Sequence, residues 1–284
     1  MRIAVRDTEL WFDVEGASLV PAGRVMHERP TIVLIHGGPG SYDHSSFKPD
    51  FARLARAAQV VYLDLRDHGR STWGDPTAWT FEQCADDVAA FCDALGIVRP
   101  IVFGHSMGGF VAILYGARHP GHAGGLILQS TFARFDLERL VDGFRRNGGE
   151  DVAALARRDY AGEAIGDEDW ASVFAAFGPS VPGPDALARR TRNPAVGTAG
   201  MDLMRRLDLI DQLPLITVPT LVCVGERDGP TPVPAAEEIV AGLAPGIGRL
   251  EVVAGAGHFP WLDAPEAYWP VIEGFVASVA TRSR

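Results

Sequence analysis

The stretch Ile101 to Ala117, IVFGHSMGGFVAILYGA, decides the reading of this chain. A short apolar run from Pro100 to Phe103 meets Gly104-His105-Ser106-Met107-Gly108, and an apolar, alanine-rich stretch of helical length follows. Strand, tight turn, helix is the setting in which the serine of a G-x-S-x-G motif serves as a nucleophile. The flanking glycines remove β-carbons that would clash in a strained turn. The turn lifts the Ser106 hydroxyl above the sheet and aims the first helical N–H groups at a developing oxyanion.

Outward from this stretch, strands and helices alternate. Residues 2–5 and 10–14 read as an opening hairpin, and TIVLI (31–35) as a strand buried on both faces. Residues 45–57 read as helical, and VVYLD (60–64) as the next strand. Thr80 to Gln83 reads as a capping box opening a helix, with Phe81, Cys84, Val88, Phe91, Cys92 and Leu95 on one face. After GLILQS (125–130), the pattern resumes with PTLVCVG (219–225), a helix near 235–244 and RLEVV (249–253). A closing helix begins near Asp263, with Pro270 placed to kink or delay it. Such alternation predicts an α/β fold with a mostly parallel sheet and helices on both faces.

Residues 131–206 break the rhythm. They hold no convincing buried strand, several short helical stretches, and aromatics at Phe132, Phe135, Phe144, Tyr160, Trp170, Phe174 and Phe177. This segment reads as a helical lid inserted into a core of residues 1–130 and 207–284, fastening to the core and lining a pocket at once. Phe132, Trp170, Phe174 and, outside the lid, Phe259 are the candidate substrate-binding residues.

The 284 residues, nearly half of them hydrophobic, suffice for one large core with an insertion. The formal net charge of −10, without a Lys/Arg block, argues against nucleic acid or an anionic membrane as partner. The first residues lack a signal-peptide pattern, and no apolar run reaches membrane-spanning length. Cys84, Cys92 and Cys223 have no metal-ligand spacing and read as buried thiols of a cytoplasmic protein. No metal or cofactor is expected; the expected partner is a small-molecule acyl substrate.

A serine needs a base, and the base needs an orienting group. His258, in VVAGAGHFPWLD, follows the last strand in a Gly-rich loop. The acid candidates are Asp228, in CVGERDGPTP, with Glu226 and Asp263 as rivals. Asp228 is favoured because a loop just past a strand end can hold a carboxylate against a histidine of the next loop, while Asp263 suits a cap on the final helix. The order serine, acid, histidine is that of the G-x-S-x-G sheet enzymes. For the oxyanion, His36-Gly37-Gly38-Pro39-Gly40 after TIVLI offers a backbone N–H, that of Gly38, to pair with the N–H of Met107. His36 and His68 read as loop anchors, and His105 as packing for the elbow.

Together HGGPG, YLDLRDHGRS, GHSMGG, GERD and GAGHF resemble the α/β-hydrolase superfamily over everything except the lid. The resemblance implies an eight-stranded sheet and Ser106, Asp228 and His258 as a triad. HGGPG is similar to the proline iminopeptidase branch and related esterases. Iminopeptidases usually show D-Q-R-G and G-G-S-W-G, where this chain has DLRDHG and GHSMG, and their lids carry glutamates that grip a free amine. Here the lid offers Glu138, Glu150, Glu163, Asp167, Glu168 and Asp169. Asp67 stands where relatives commonly have glycine, a position aspartate tolerates in left-handed backbone. The leading expectation is a serine hydrolase cleaving a small carboxylic ester or lactone through an acyl-enzyme. The alternative is an iminopeptidase-like aminopeptidase, and a third reading is a non-catalytic ligand-binding member of the fold.

Overall fold

A computed structural model describes residues 1–282. The chain opens with β1 (Arg2–Val5) and β2 (Thr8–Glu15), then a separate hairpin of β3 (Leu19–Ala22) and β4 (Val25–Glu28) that the sequence reading did not anticipate. Next come β5 (Thr31–Ile35), β6 (Gln59–Leu63), α1 (Phe81–Ala94), β7 (Ile101–His105), α2 (Met107–Arg118) and β8 (Gly125–Gln129). Four helices follow, α3 (Leu137–Ala161), α4 (Asp167–Ala175), α5 (Pro184–Ala188) and α6 (Pro194–Met204). The chain ends with β9 (Thr220–Gly225), α7 (Val233–Gly242), β10 (Gly248–Val253), α8 (Pro260–Asp263) and α9 (Pro265–Arg282).

Eight strands form one sheet in the order β1-β2-β6-β5-β7-β8-β9-β10. Pairing from β6 to β10 is parallel, and β1 and β2 pair antiparallel at the other edge, so the sheet is mostly parallel as expected. Every residue of β7 and β8 is buried, the pattern of strands covered on both faces. The carboxyl ends of the parallel strands therefore point to one rim, where ligands of open α/β sheets bind.

Two expected elements differ. The 45–57 stretch is two short 3-10 helices, His44–Phe47 and Asp50–Arg56, not one α-helix. Pro49 stands between them and has no N–H to continue a ladder. At Thr80 the side chain accepts the Gln83 N–H at 3.1 Å, but the Gln83 Oε1 is buried without a partner among the described residues. Only half of the capping box forms, and Leu95, expected on the buried face of α1, is 40% exposed. Pro270 lies inside α9, whose start at Pro265 it does not delay. Cys84, Cys92 and Cys223 are free and buried. Among the described residues no helix is long and apolar enough to cross a membrane.

Between β8 and β9 the chain leaves the sheet through α3 to α6, with α3 bent at Gly149 (φ 79°). A single bridge, Arg134 with Asp208, closes the base of this excursion. Its interior is aromatic: the Phe144 and Tyr160 rings lie 5.8 Å apart and those of Phe174 and Phe177 5.2 Å apart.

Candidate active site

Ser106 caps α2 directly at the end of β7 with φ 53° and ψ −119°, a conformation that costs energy for any residue with a β-carbon. The neighbours hold it there. Its N–H donates to the Gln129 carbonyl at 2.9 Å, and its carbonyl accepts from the Gly109 N–H at 2.8 Å and the Thr131 hydroxyl at 2.8 Å. The turn is tight enough that a β-carbon on Gly104 would come within 2.2 Å of the Gly108 carbonyl oxygen, and one on Gly108 within 2.3 Å of the Ile35 carbonyl oxygen. Both glycines are there for close backbone approach.

Asp228 and His258 come together from the loops after β9 and β10. The His258 Nδ1 is 3.0 Å from Asp228 Oδ1 and 3.1 Å from Oδ2, and both residues are buried. The remaining acceptor capacity of the carboxylate is taken by Thr231, whose N–H donates to Oδ1 at 2.9 Å and whose hydroxyl donates to Oδ2 at 2.8 Å. Thr231 was not singled out from sequence, although its place three residues after an aspartate is the spacing of a local side-chain-to-backbone turn. The rival Glu226 is exposed and accepts the Gly255 N–H at 2.8 Å. Asp263 does not cap the final helix as expected; its Oδ2 accepts the Gly257 N–H at 2.7 Å and braces the histidine loop.

That loop is braced twice more. The His258 N–H donates to the Phe177 carbonyl at 3.0 Å, and the Phe177 ring meets the His258 ring edge-on at 5.3 Å. The His258 carbonyl sits 3.1 Å from His105 Nε2. Burial, with His258 beside it, holds the His105 imidazole well below the usual range, so it is neutral and serves as packing.

Across the cavity, His36 Nδ1 lies 2.7 Å from the Gly37 carbonyl and its Nε2 accepts the Leu65 N–H at 3.3 Å. His68 Nε2 accepts the Gly40 N–H at 2.9 Å while its Nδ1 is 2.8 Å from the Arg66 carbonyl. Burial pulls His68 down to about 3, which keeps that acceptor lone pair free of a proton. Both histidines thus anchor the loop, and they narrow its free donors: Pro39 has no N–H and that of Gly40 is spent. Gly38 (φ 142°) stands beside Met107, whose Sδ and Cε lie 3.5 Å from where a Gly38 β-carbon would be. Asp67 adopts φ 64°, the left-handed backbone expected of it.

A cavity of about 850 Å³ joins these groups: Gly38, Ser106, Met107 and His258 all line it. So do Phe132, Trp170, Phe174 and Phe259, with Phe110 and Phe177 in addition. Of the lid carboxylates noted in the sequence, Glu163 and Asp167 reach the wall; Asp159 and Asp202, not foreseen, reach it too. Glu138 is drawn to Arg157 and Glu150 to Arg145. Elsewhere, Asp43, His44 and Asp64 bring three potential metal-ligand atoms close together. These atoms are occupied by the fold: Asp64 accepts from the N–H groups of His44 (2.7 Å) and Arg70 (2.9 Å), and Asp43 from those of Ser45 (2.9 Å) and Thr191 (2.7 Å).

Known proteins resemble this arrangement. The pimeloyl-[acyl-carrier protein] methyl ester esterase of Neisseria meningitidis serogroup C is 29% identical over 255 residues, covering 87% of this chain and 94% of the relative. The 3-oxoadipate enol-lactonase 1 of Acinetobacter baylyi is 25% identical over 247 residues, covering 84% and 85%. In fold, the solved proline iminopeptidase of Mycobacterium smegmatis aligns with a TM-score of 0.77 at 22% identity, covering 100% of this chain and 99% of that one. The family model for the alpha/beta hydrolase fold matches residues 30–265, from just before β5 to the start of α9. With its eight-stranded sheet, its serine at the strand–helix turn and hydrolases among its relatives, the chain belongs to the α/β-hydrolase fold family.

Proposed function

We propose that this protein is a serine hydrolase that cleaves a small carboxylic ester or lactone through an acyl-enzyme. The observation that carries the reading is the His258 imidazole held through Nδ1 by a buried, fully bonded Asp228, in a cavity that also contains the strained Ser106. In this reading the Asp228 carboxylate fixes the tautomer with the proton on Nδ1, leaving Nε2 to accept the Ser106 proton. The Ser106 oxygen attacks the carbonyl, and the N–H groups of Gly38 and Met107 hold the oxygen as it becomes charged. A single such donor is worth about 2.7–4 kcal/mol of barrier. His258 then returns the proton to the leaving alkoxide, and water repeats the sequence on the acyl-enzyme. Residues 131–206 act as the lid, with Phe132, Trp170, Phe174 and Phe259 receiving the acyl chain. The esterase and lactonase among the relatives favour oxygen esters.

A second reading, an aminopeptidase of iminopeptidase type, draws on Asp159. It borders the cavity, and among the described residues its carboxylate has no ion pair or hydrogen bond; burial raises its pKa. An assay of short-chain aryl esters, lactones and prolyl-anilides with wild type and Ser106→Ala separates the two. Ester turnover that disappears in Ser106→Ala is expected. Prolyl-anilide turnover above ester turnover, lost in Asp159→Asn, would replace the first reading by the second. Failure of a fluorophosphonate to label Ser106 would remove both.

A further inference from the structure

The cavity wall carries a half-buried guanidinium that, among the described residues, no carboxylate meets at ion-pair distance. Arg190 lines the same cavity as Ser106 and is half-buried. Its Nε donates to the Leu187 carbonyl at 3.1 Å, its plane lies over the Tyr42 ring at 4.5 Å, and among the described residues it has no ion pair. The other wall arginines differ: Arg205 is paired with Asp202 at 2.6 Å, and Arg192 is exposed. Asp43, on the neighbouring loop, attracts Arg190 from a distance, but its oxygens accept from Ser45 and Thr191 and it forms no ion pair with the guanidinium. The Tyr42 phenol is pushed up to about 12 by burial, so it stays neutral and cancels nothing. Burial also pulls Arg190 below its ordinary value, with Arg192 adding to the effect, and the attraction of Asp43 offsets only part of the cost. A guanidinium nevertheless stays charged at neutral pH.

Arg190 is also fixed relative to the chemistry. Its segment is clamped to the oxyanion loop: the Asn193 N–H donates to the Gly40 carbonyl at 2.8 Å, and the Thr191 N–H to Asp43 at 2.7 Å. The Asn193 side chain adds a bond to the Asp67 carbonyl at 2.9 Å. Tyr42, the platform under the guanidinium, is on the loop that carries Gly38, so the two α-carbons can be at most about 14 Å apart. We infer that Arg190, stacked on Tyr42, is an anion subsite of the cavity, and that the substrate carries a free carboxylate on its acyl chain in addition to the scissile ester. Arg suits this task because its planar fork binds a carboxylate through two N–H groups. The inference rests on the serine-hydrolase reading for the position of the scissile bond.

The test compares monomethyl half-esters of the linear dicarboxylic acids from adipic to sebacic with methyl esters of the monocarboxylic acids of equal length. Wild type is expected to favour at least one half-ester by about 10-fold or more in kcat/KM, the ratio a charged hydrogen bond supplies. In Arg190→Gln, the half-ester is expected to lose about 10–100-fold, at least ten times more than the neutral ester loses, with Arg190→Lys recovering only part. Absence of preference in wild type, preference for an amino-acid methyl ester, or equal losses on both substrates would overturn the subsite. Calorimetric titration of Ser106→Ala with the free dicarboxylates, with and without Arg190→Gln, keeps the two readings apart. If no ester is cleaved, yet dicarboxylate binds and Arg190→Gln abolishes it, the hydrolase reading fails and the subsite stands. If esters are cleaved but dicarboxylate binding ignores Arg190, the reverse holds.

Discussion

The loops at the rim of the sheet and the helical excursion between β8 and β9 are built on different terms. At the rim, His36, His68, His105, Asp228 and His258 are all buried, and the side chain of each has at least one polar atom met by a backbone or side-chain partner. In the excursion, the ion pairs Arg145–Glu150, Arg157–Glu138 and Arg158–Glu163 are solvated and of the kind worth about 0–1 kcal/mol. What holds the excursion is aromatic packing, with Trp170 still 38% exposed. Reaction chemistry tolerates little displacement of the reacting groups, whereas a wall that sizes a substrate has only to be apolar and roughly placed. On the proposed function, the rim would specify the reaction and the excursion the clientele.

The sharpest way to break that division is Ser106→Ala. If the rim alone carries the chemistry, kcat on every ester falls by about 10⁴-fold or more, whatever the acyl chain, while the melting temperature holds, because alanine keeps the β-carbon and with it the backbone strain. Steady-state turnover together with mass spectrometry after fluorophosphonate treatment checks this. Residual turnover above about 1% of wild type would mean that another group supplies the nucleophile.

Acid is the second probe, because it acts on rim and excursion unequally. His36, His68 and His105 are all held below the usual histidine value of 6.5, chiefly by burial, with His68 at about 3. In the unfolded chain these imidazoles take up protons near 6.5, while the folded rim refuses them. Their contribution to stability is therefore complete above that pH and is lost as pH falls below about 6.5, for His68 down to about 3, at up to about 1.4 kcal/mol per pH unit for each. Urea melts between pH 7.5 and 4 should show this slope, and His68→Asn should flatten it by about one histidine's share. An unchanged slope in His68→Asn would mean that His68 is protonated in the folded rim.

The same contrast explains how much could be read from the sequence. The elbow was legible because Gly104 and Gly108 sit where a β-carbon would strike backbone, a demand local enough to leave its mark on adjacent residues. Asp67, at φ 64°, was legible by the resemblance instead, since it stands where relatives commonly have glycine. Asp228, which meets His258, was singled out only by position after a strand, and Thr231, which bonds to it, was missed because a threonine in a Pro/Thr turn carries no sign of what it bonds. Residues 45–57, read as one helix, misled because Pro49 divides the stretch into two. In the excursion the aromatics named the wall, but not which carboxylates face it. Asp159 and Arg190 acquire meaning from the direction of their side chains, and direction is a property of the packed molecule.

Thr231→Val tests whether the rim depends on its full complement of bonds. The variant removes the hydroxyl bond to Asp228 Oδ2 and keeps the N–H bond to Oδ1. A carboxylate freed on one side orients His258 less well, so kcat is expected to fall about 10-fold with KM little altered. Thr231→Ser, which restores the hydroxyl, should recover most of the loss. Equal kcat in Thr231→Val and wild type would show that the rim has more tolerance than the comparison allows.

Phe174→Ala is the mildest and most discriminating change. The Phe174 ring lies 6.4 Å from that of Trp170, nearly parallel to it, and 5.2 Å from Phe177, on the wall of the cavity. Removing it takes apolar surface from the acyl chain but leaves every rim bond intact. Discrimination by such a pocket runs to about 1–3 kcal/mol, so a medium-chain ester should lose about 10-fold in kcat/KM through KM, and an acetate ester almost nothing. A kcat loss shared by the acetate would point to Phe177, whose carbonyl holds the His258 N–H, as the route by which the wall reaches the chemistry. In that event the excursion would set the histidine as well as the substrate, and the two regions would have to be treated as one device.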